Sequence, residues 1–249
     1  MRVRIIGAGS LGRALAQEAA KHDCEVEVAD TIPERAERLA KEVGGEEVDT
    51  GASLDEVDLL VEAANQSAVA SHVIAALGAG VDCMVLSTGA FTKPGVLERT
   101  RRALTRSGAT CYLPSGGIAG IDAVKAIASE PAARVVLTTT KPPGSLGLKE
   151  DEAGEVFAGS ATEAVRRYPK NVNVAATLEL AGLMPEVHVV SDPKATRIMH
   201  EVFVRSERVE ARITVVSEPS AANPATSEMA LLSARALLRH ILDPLRVGT

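Results

Sequence analysis

The chain has 249 residues, 46% hydrophobic and only 2% aromatic, with a formal net charge of −6. That length holds one large domain or two modest ones around a substantial core. The acidic balance, the absence of any Lys/Arg cluster and the lack of tryptophan argue against nucleic-acid and anionic-membrane surfaces, which need concentrated cations or stacking rings. Small-molecule chemistry is the expectation. No apolar run reaches the roughly 18 residues of a membrane span. The chain enters a strand pattern at once, without the apolar core of a secretory signal, so a cytoplasmic protein is expected.

The first hundred residues alternate β-branched runs with helical patterns: VRIIGAG, LGRALAQEAAKH, EVEVAD and IPERAERLAKEV. DLLVEAA, the helix-like SAVASHVIAALGAG, the strand VDCMVLST, the helix-like PGVLERTRRALTRSG and the strand ATCYLP follow. Such alternation means βαβ units. The fold class is therefore α/β, with an N-terminal Rossmann doubly wound parallel sheet forming an NAD(P)-binding domain over 1–114.

Beyond PSGGIAG, a helix IDAVKAIAS and a strand ARVVLTTTKPP run into the charged stretch KEDEAGE. Helices TEAVRRY and NVNVAATLELAG and strands EVHVVSD, HEVFVRSE and ARITVVSE complete the pattern. Residues 115–224 are thus expected to form a C-terminal α+β domain with an open mixed sheet, serving catalysis and dimerisation. The amphipathic segment 225–244 is expected to be a helix that packs back on the first domain.

Gly7, Gly9 and Gly12 form a GxGxxG between a strand and a helix that opens with Ser10 and Leu11. The first glycine permits the tight turn, the second the approach to a pyrophosphate, and the third close helix–strand packing. The helix N-terminus offers free N–H groups and partial positive charge to phosphate. Asp30, ending the second strand, suits the adenosine ribose hydroxyls and favours NAD, with NADP open because Arg35 lies near. Ligands in such sheets sit beyond the strand carboxyl ends. This places Glu62–Gln66 with Ala64, Ser87–Phe91 and Pro114–Gly120 at the site. The last segment is read as opening a helix whose N–H groups at Ser115 and Gly116 would hold a carboxylate or the nicotinamide amide.

Cys24, Cys83 and Cys111 are widely spaced and odd in number, which fits neither a disulfide framework nor a metal site. Among the histidines, His22 and His240 read as surface positions, His72 as packed in a helix and His188 as part of a strand. His200 is expected where a loop or short helix enters a strand, pointing into an interdomain cleft as a general base.

IIGAGSLG, EAANQSAV, VLSTGAF, PSGGIAGIDAVKA, SDPKATRIMHEV, NPATSEMALLSARALL and, most specifically, GSATEAVRRYPKNVNVAAT resemble the L-aspartate dehydrogenase family of archaea and some bacteria. The resemblance implies NAD(P)-dependent oxidation of L-aspartate to iminoaspartate, which hydrolyses to oxaloacetate and ammonia or feeds pyridine nucleotide biosynthesis. By motif, the family's catalytic histidine falls on His200, and its cofactor contacts fall on Asn173 and Gly117. Gly117 stands where the family has Ala, Ile198 where it has Asn, and Ala225 where it has Lys. Lys141, Lys170 or Arg197, with Ser115 and Gly116, would meet the two substrate carboxylates. A homodimer is expected. Two rival readings remain open: a dehydrogenase of another amino-dicarboxylate or a semialdehyde, and a non-catalytic NAD(H) sensor.

Overall fold

The computed structural model describes residues 1–168, 173–220 and 223–245. They fall into two compact units, one of Met1–Pro114 with the last helix from Ala234 on, the other of Ser115–Ser233.

In the first unit the order is β1 (Arg2–Ile6), α1 (Ser10–Lys21), β2 (Glu25–Ala29), α2 (Pro33–Val43), β3 (Glu46–Glu47) and β4 (Leu59–Glu62). The chain continues through α3 (Gln66–Ala68), a π-helical turn Val69–Val73, α4 (Ile74–Gly78), β5 (Asp82–Val85), a 3-10 turn Thr88–Thr92, α5 (Val96–Ser107) and β6 (Cys111–Tyr112). All pairings are parallel, in the order β3-β2-β1-β4-β5-β6. Val3, Ile5, Val28, Leu59 and Val61 are completely buried, as expected of central strands covered on both faces. Small residues let α1 pack closely through Ala16 and Ala19 beside Leu15. α2 starts on Pro33 and stops at Gly44 in the left-handed conformation, where a residue without Cβ closes a helix at least cost.

The second unit contains α6 (Ile121–Ala128), β7 (Arg134–Lys141), a 3-10 turn Pro143–Leu146, β8 (Gly154–Ser160), α7 (Ala161–Arg167), α8 (Asn173–Leu180), β9 (Glu186–Ser191), β10 (Ile198–Arg205) and β11 (Glu210–Ser217). A short hairpin, β12 (Pro219–Ser220) with β13 (Asn223–Ser227), precedes α9 (Glu228–Leu242). The sheet order is β11-β10-β7-β9-β8; β7 and β9 are parallel and the other pairs antiparallel. Burial alternates along β7 and β10, so Val135, Leu137, Thr139 and Lys141 share the core-facing side with Ile198, His200, Val202 and Val204. Val136, Met199 and Phe203 lie on the half-exposed opposite face.

Several details depart from the sequence reading. The edge strand β8 went unanticipated because its glycines and neighbouring charges read as loop. α7 then begins with a reciprocal cap between Ser160 and Glu163. The last helix starts at Glu228 rather than 225, because Asn223–Ser227 are already paired as a strand. His200 is not at the end of a loop: it is the third residue of β10. The helix expected at Ser115–Gly116 starts only at Ile121, and Gly116 instead occupies a left-handed turn.

Within the first unit, Ala234 and Leu238 of α9 join the core formed by Leu15, Ala19, Val26 and Leu39. Leu238 is 0% exposed, so Leu238→Ala removes buried methyls and leaves a cavity. Urea unfolding should show a loss of about 2–5 kcal/mol for that variant.

Candidate functional site

The glycine loop is constrained by backbone contact. A Cβ on Gly12 would stand 1.8 Å from the Gly7 carbonyl oxygen, and one on Gly7, at φ 105°, would stand 2.8 Å from that of Ala63. Around Gly9 nothing lies within 4 Å of the position a Cβ would take. Gly12 and Gly7 thus let the helix and β4 close in, while Gly9 leaves the approach to the helix end clear. α1 has no side-chain cap, so the N–H groups of its first turn, at Ser10 and Leu11, face that approach without a competing side-chain acceptor.

Asp30 ties this loop to β2. Its Oδ2 accepts a hydrogen bond from the Ala8 N–H at 2.7 Å, and its Oδ1 accepts from the Ile32 N–H at 2.9 Å. Asp30 lines one cavity with Gly7, Thr50, Ala64, Ser67 and His72. Thr50 and His72 were not singled out from sequence; His72 reaches the cavity from the π-helical turn, which no periodicity announces. These features fit an adenine nucleotide: open backbone donors for phosphate and a carboxylate at the end of β2 for ribose.

Glu62 heads the Glu62–Gln66 segment that the sequence places at the site, although the sequence assigns its side chain no role. It is 0% exposed, and its carboxylate accepts from the Ala64 N–H, the Ser87 N–H and the Ser87 hydroxyl, each at 2.9 Å. Burial pushes its pKa up, opposed by these donors. One buried side chain thereby pins the turns that follow β4 and β5.

In the second unit, antiparallel pairing sets His200 opposite Thr139, and the Thr139 Oγ1 lies 2.9 Å from His200 Nδ1. Lys141 follows two residues along the same face. His200 is 3% exposed and Lys141 2%. Burial, reinforced by the charge of Lys141, lowers the His200 pKa to about 3. Burial also lowers that of Lys141 to about 8. At neutral pH this centre holds a neutral imidazole near a cationic lysine.

The far side of the imidazole faces Gly117, where a Cβ would stand 2.9 Å from His200 Nε2 and 3.0 Å from Ser227 Oγ. The structure therefore brings His200, Lys141, Gly117 and Ser227 together. Ser115 and Gly116 are half-buried in the adjoining turn, and a Cβ on Gly116 would be 3.8 Å from Val174 Cγ1, next to Asn173 at the start of α8. Lys170 lies outside the described residues. Arg197 does not join the group: its exposed guanidinium pairs with Glu218 at 2.7 Å. Ser227 was missed because its neighbours read as helix; it caps α9 by accepting from the Ala230 N–H.

A Rossmann unit with an open glycine loop, in one chain with a buried imidazole–hydroxyl–amine group, has the constitution of an NAD(P)-dependent oxidoreductase. Residues 7–114 match the family described as homoserine dehydrogenase, NAD binding domain, and residues 122–241 match aspartate dehydrogenase, C-terminal. An L-aspartate dehydrogenase of Methanothermobacter thermautotrophicus is 38% identical over 254 residues, covering 100% of this chain and 99% of that protein. That of Archaeoglobus fulgidus is 38% identical over 248 residues, covering 99% and 100%. The crystal structure of aspartate dehydrogenase from Thermotoga maritima superposes with a TM-score of 0.80 at 28% identity, over 100% of this chain and 99% of that one. The chain belongs to the L-aspartate dehydrogenase family.

The buried bases make stability depend on pH with a definite sign. His200 resists protonation when folded, so the unfolded chain binds the extra proton between the ordinary value of 6.5 and about 3. Stability is then lost as pH falls through that window. Lys141 gives a second rise in stability between about 8 and 10.5, where the unfolded chain still holds the proton that the folded one has released. Urea midpoints measured across pH should fall on the acid side, and His200→Gln should flatten that limb.

Proposed function

We infer that this protein catalyses the NAD(P)-dependent oxidative deamination of L-aspartate to iminoaspartate, which water converts to oxaloacetate and ammonia. The observation carrying this reading is the centre built on His200, Thr139 and Lys141 within the unit that matches the aspartate dehydrogenase C-terminal family. Gly7, Gly9, Ser10, Leu11, Gly12, Asp30 and Ala64 would hold the dinucleotide, with Gly117 and Asn173 contacting its nicotinamide end. When bound, the cofactor supplies a hydride acceptor for the substrate's Cα–H.

Lys141 provides a positive charge in a dry setting, where it acts on a substrate carboxylate more strongly than a surface cation would. Ser115 and Gly116 offer backbone donors for the second carboxylate, and Lys170 is a further candidate for it. His200 serves as the base if its Nδ1–H donates to Thr139 Oγ1, which leaves the Nε2 lone pair on the side facing Gly117. There it takes a proton from the water that attacks the imine and passes it to the departing ammonia. The half-exposed sheet face carrying Val136, Met199 and Phe203 is our candidate for a homodimer contact. No helix among the described residues is long and apolar enough to cross a membrane, and we place the protein in the cytoplasm.

Mixing protein, L-aspartate and NAD or NADP at alkaline pH should generate an aspartate-dependent absorbance of reduced cofactor; no signal with either cofactor would refute the substrate assignment. His200→Ala should lower kcat by about 10²–10⁴-fold. Its NADH affinity should stay nearly unchanged, whereas lost cofactor binding would make the residue structural. Thr139→Val, which keeps shape but removes the partner of Nδ1, should lower kcat by roughly tenfold with a smaller effect on KM.

A further inference from the structure

Glu62 is a buried titratable group that the reaction outlined above leaves without a part to play. It ends β4, where it is paired with Ile6 of β1 on one side and Val85 of β5 on the other. In the order β3-β2-β1-β4-β5-β6 the junction of β1 and β4 is where the strand order reverses, and a dinucleotide lies across such a junction. Asp30, at the end of β2, marks the adenosine half. The nicotinamide half then falls on the side of β4 and β5, whose following turns Glu62 holds.

The state of its charge follows from its partners. The Ala64 N–H and the Ser87 hydroxyl donate to Oε1, and the Ser87 N–H donates to Oε2, so donors engage both oxygens, as suits the ionised form. Each of these donors is neutral. They stabilise the negative charge without cancelling it, and at 0% exposure water does not reach the residue to screen it.

We propose that Glu62 tunes the bound cofactor electrostatically: its buried negative charge favours the cationic, oxidised nicotinamide ring over the neutral, reduced one. The inference rests on the dinucleotide reading of this unit. NAD and NADH differ in charge at that ring alone, so a fixed anion on this side of the sheet attracts one form and is nearly indifferent to the other. The consequence is directional. Glu62 lowers the reduction potential of the bound couple, and the equilibrium on the protein tilts toward reduction of the imine, with hydride passing from C4 of the reduced ring to the imine carbon.

The test needs neither substrate nor turnover. Titration of the full chain with NADH, followed by its fluorescence, and with NAD, by calorimetry, gives the ratio of the two dissociation constants, Kd(NADH)/Kd(NAD). Glu62→Gln should lower that ratio about tenfold, equivalent to about 30 mV for a two-electron couple. The shift should persist at high salt, because a buried charge is screened far less than a surface one. Glu62→Asp keeps the charge and should keep the ratio within about twofold of wild type, even where the shorter side chain weakens both affinities. Glu62→Ser, neutral and with room for a water to serve the freed N–H groups, gives the same reading as Glu62→Gln should the amide disturb the turns. Charges elsewhere in the protein act alike on wild type and variants, so the comparison isolates Glu62. Neutral variants that weaken both ligands in parallel, with the ratio unchanged, would overturn the proposal and leave Glu62 a purely structural residue. A Glu62→Asp ratio shifted as far as that of the neutral variants would overturn it too. No binding of either nucleotide to the wild type would overturn the dinucleotide reading and the proposal with it.

Discussion

The register of β10 against β7 is the constraint on which the second unit depends. Side chains alternate faces along a strand, so a slip of one residue would exchange the two sets. His200 would then move to the half-exposed side and Glu201 into the core. The correct register is enforced by apolar residues: Ile198, Val202 and Val204 must be buried with Leu137 and Val135, and they carry His200 and Thr139 inward with them. Hydrophobic burial thus sets the position of a polar pair that by itself would prefer water. Lys141 enters the same side because it lies two residues beyond Thr139.

In the nucleotide unit the corresponding constraint is the lack of room at Gly7 and Gly12. Close approach of α1 to β1 and of the loop to β4 brings the strand ends near enough for single carboxylates to bridge them. Asp30 joins β2 to the glycine loop, and Glu62 joins the turns after β4 and β5. Each acceptor is matched by backbone donors, which offsets the desolvation cost of placing a carboxylate among apolar strands. The turns are therefore positioned by the sheet rather than by contacts of their own.

Most of this architecture was legible in sequence because the signals are periodic or steric. Alternating strand and helix patterns gave the parallel sheet, and GxGxxG in its strand-to-helix setting gave the nucleotide loop. His200 was singled out, but its setting was misjudged: SDPKATRIMH looks polar enough for a loop, and only pairing with Thr139 shows that the strand has already begun. Ser115 and Gly116 were read as a helix start because glycine-rich segments open helices elsewhere, whereas the left-handed Gly116 makes a turn before α6. Glu62 was placed at the site only as part of the Glu62–Gln66 turn, and Ser227 left no local trace. Their significance lies in neighbours distant in sequence, Ser87 for Glu62 and Gly117 for Ser227, and contacts of that kind become visible only once the chain is folded.

The electrostatics of the second unit connect its core to the proposed reaction. With a pKa of about 3 before substrate arrives, His200 is a poor base, held down by burial and by the charge of Lys141. A dianionic substrate held as proposed would act against the second of these influences, leaving the burial unchanged. On that reading a carboxylate beside Lys141 would favour its charged form and cancel much of the field that Lys141 exerts on the imidazole. The same carboxylate would attract a proton toward His200 directly. The basicity of His200 would therefore rise with the substrate in place and fall again when it leaves. A neutral amino acid would deliver less of this correction, so the buried cation would discriminate in the proton-transfer step as well as in binding.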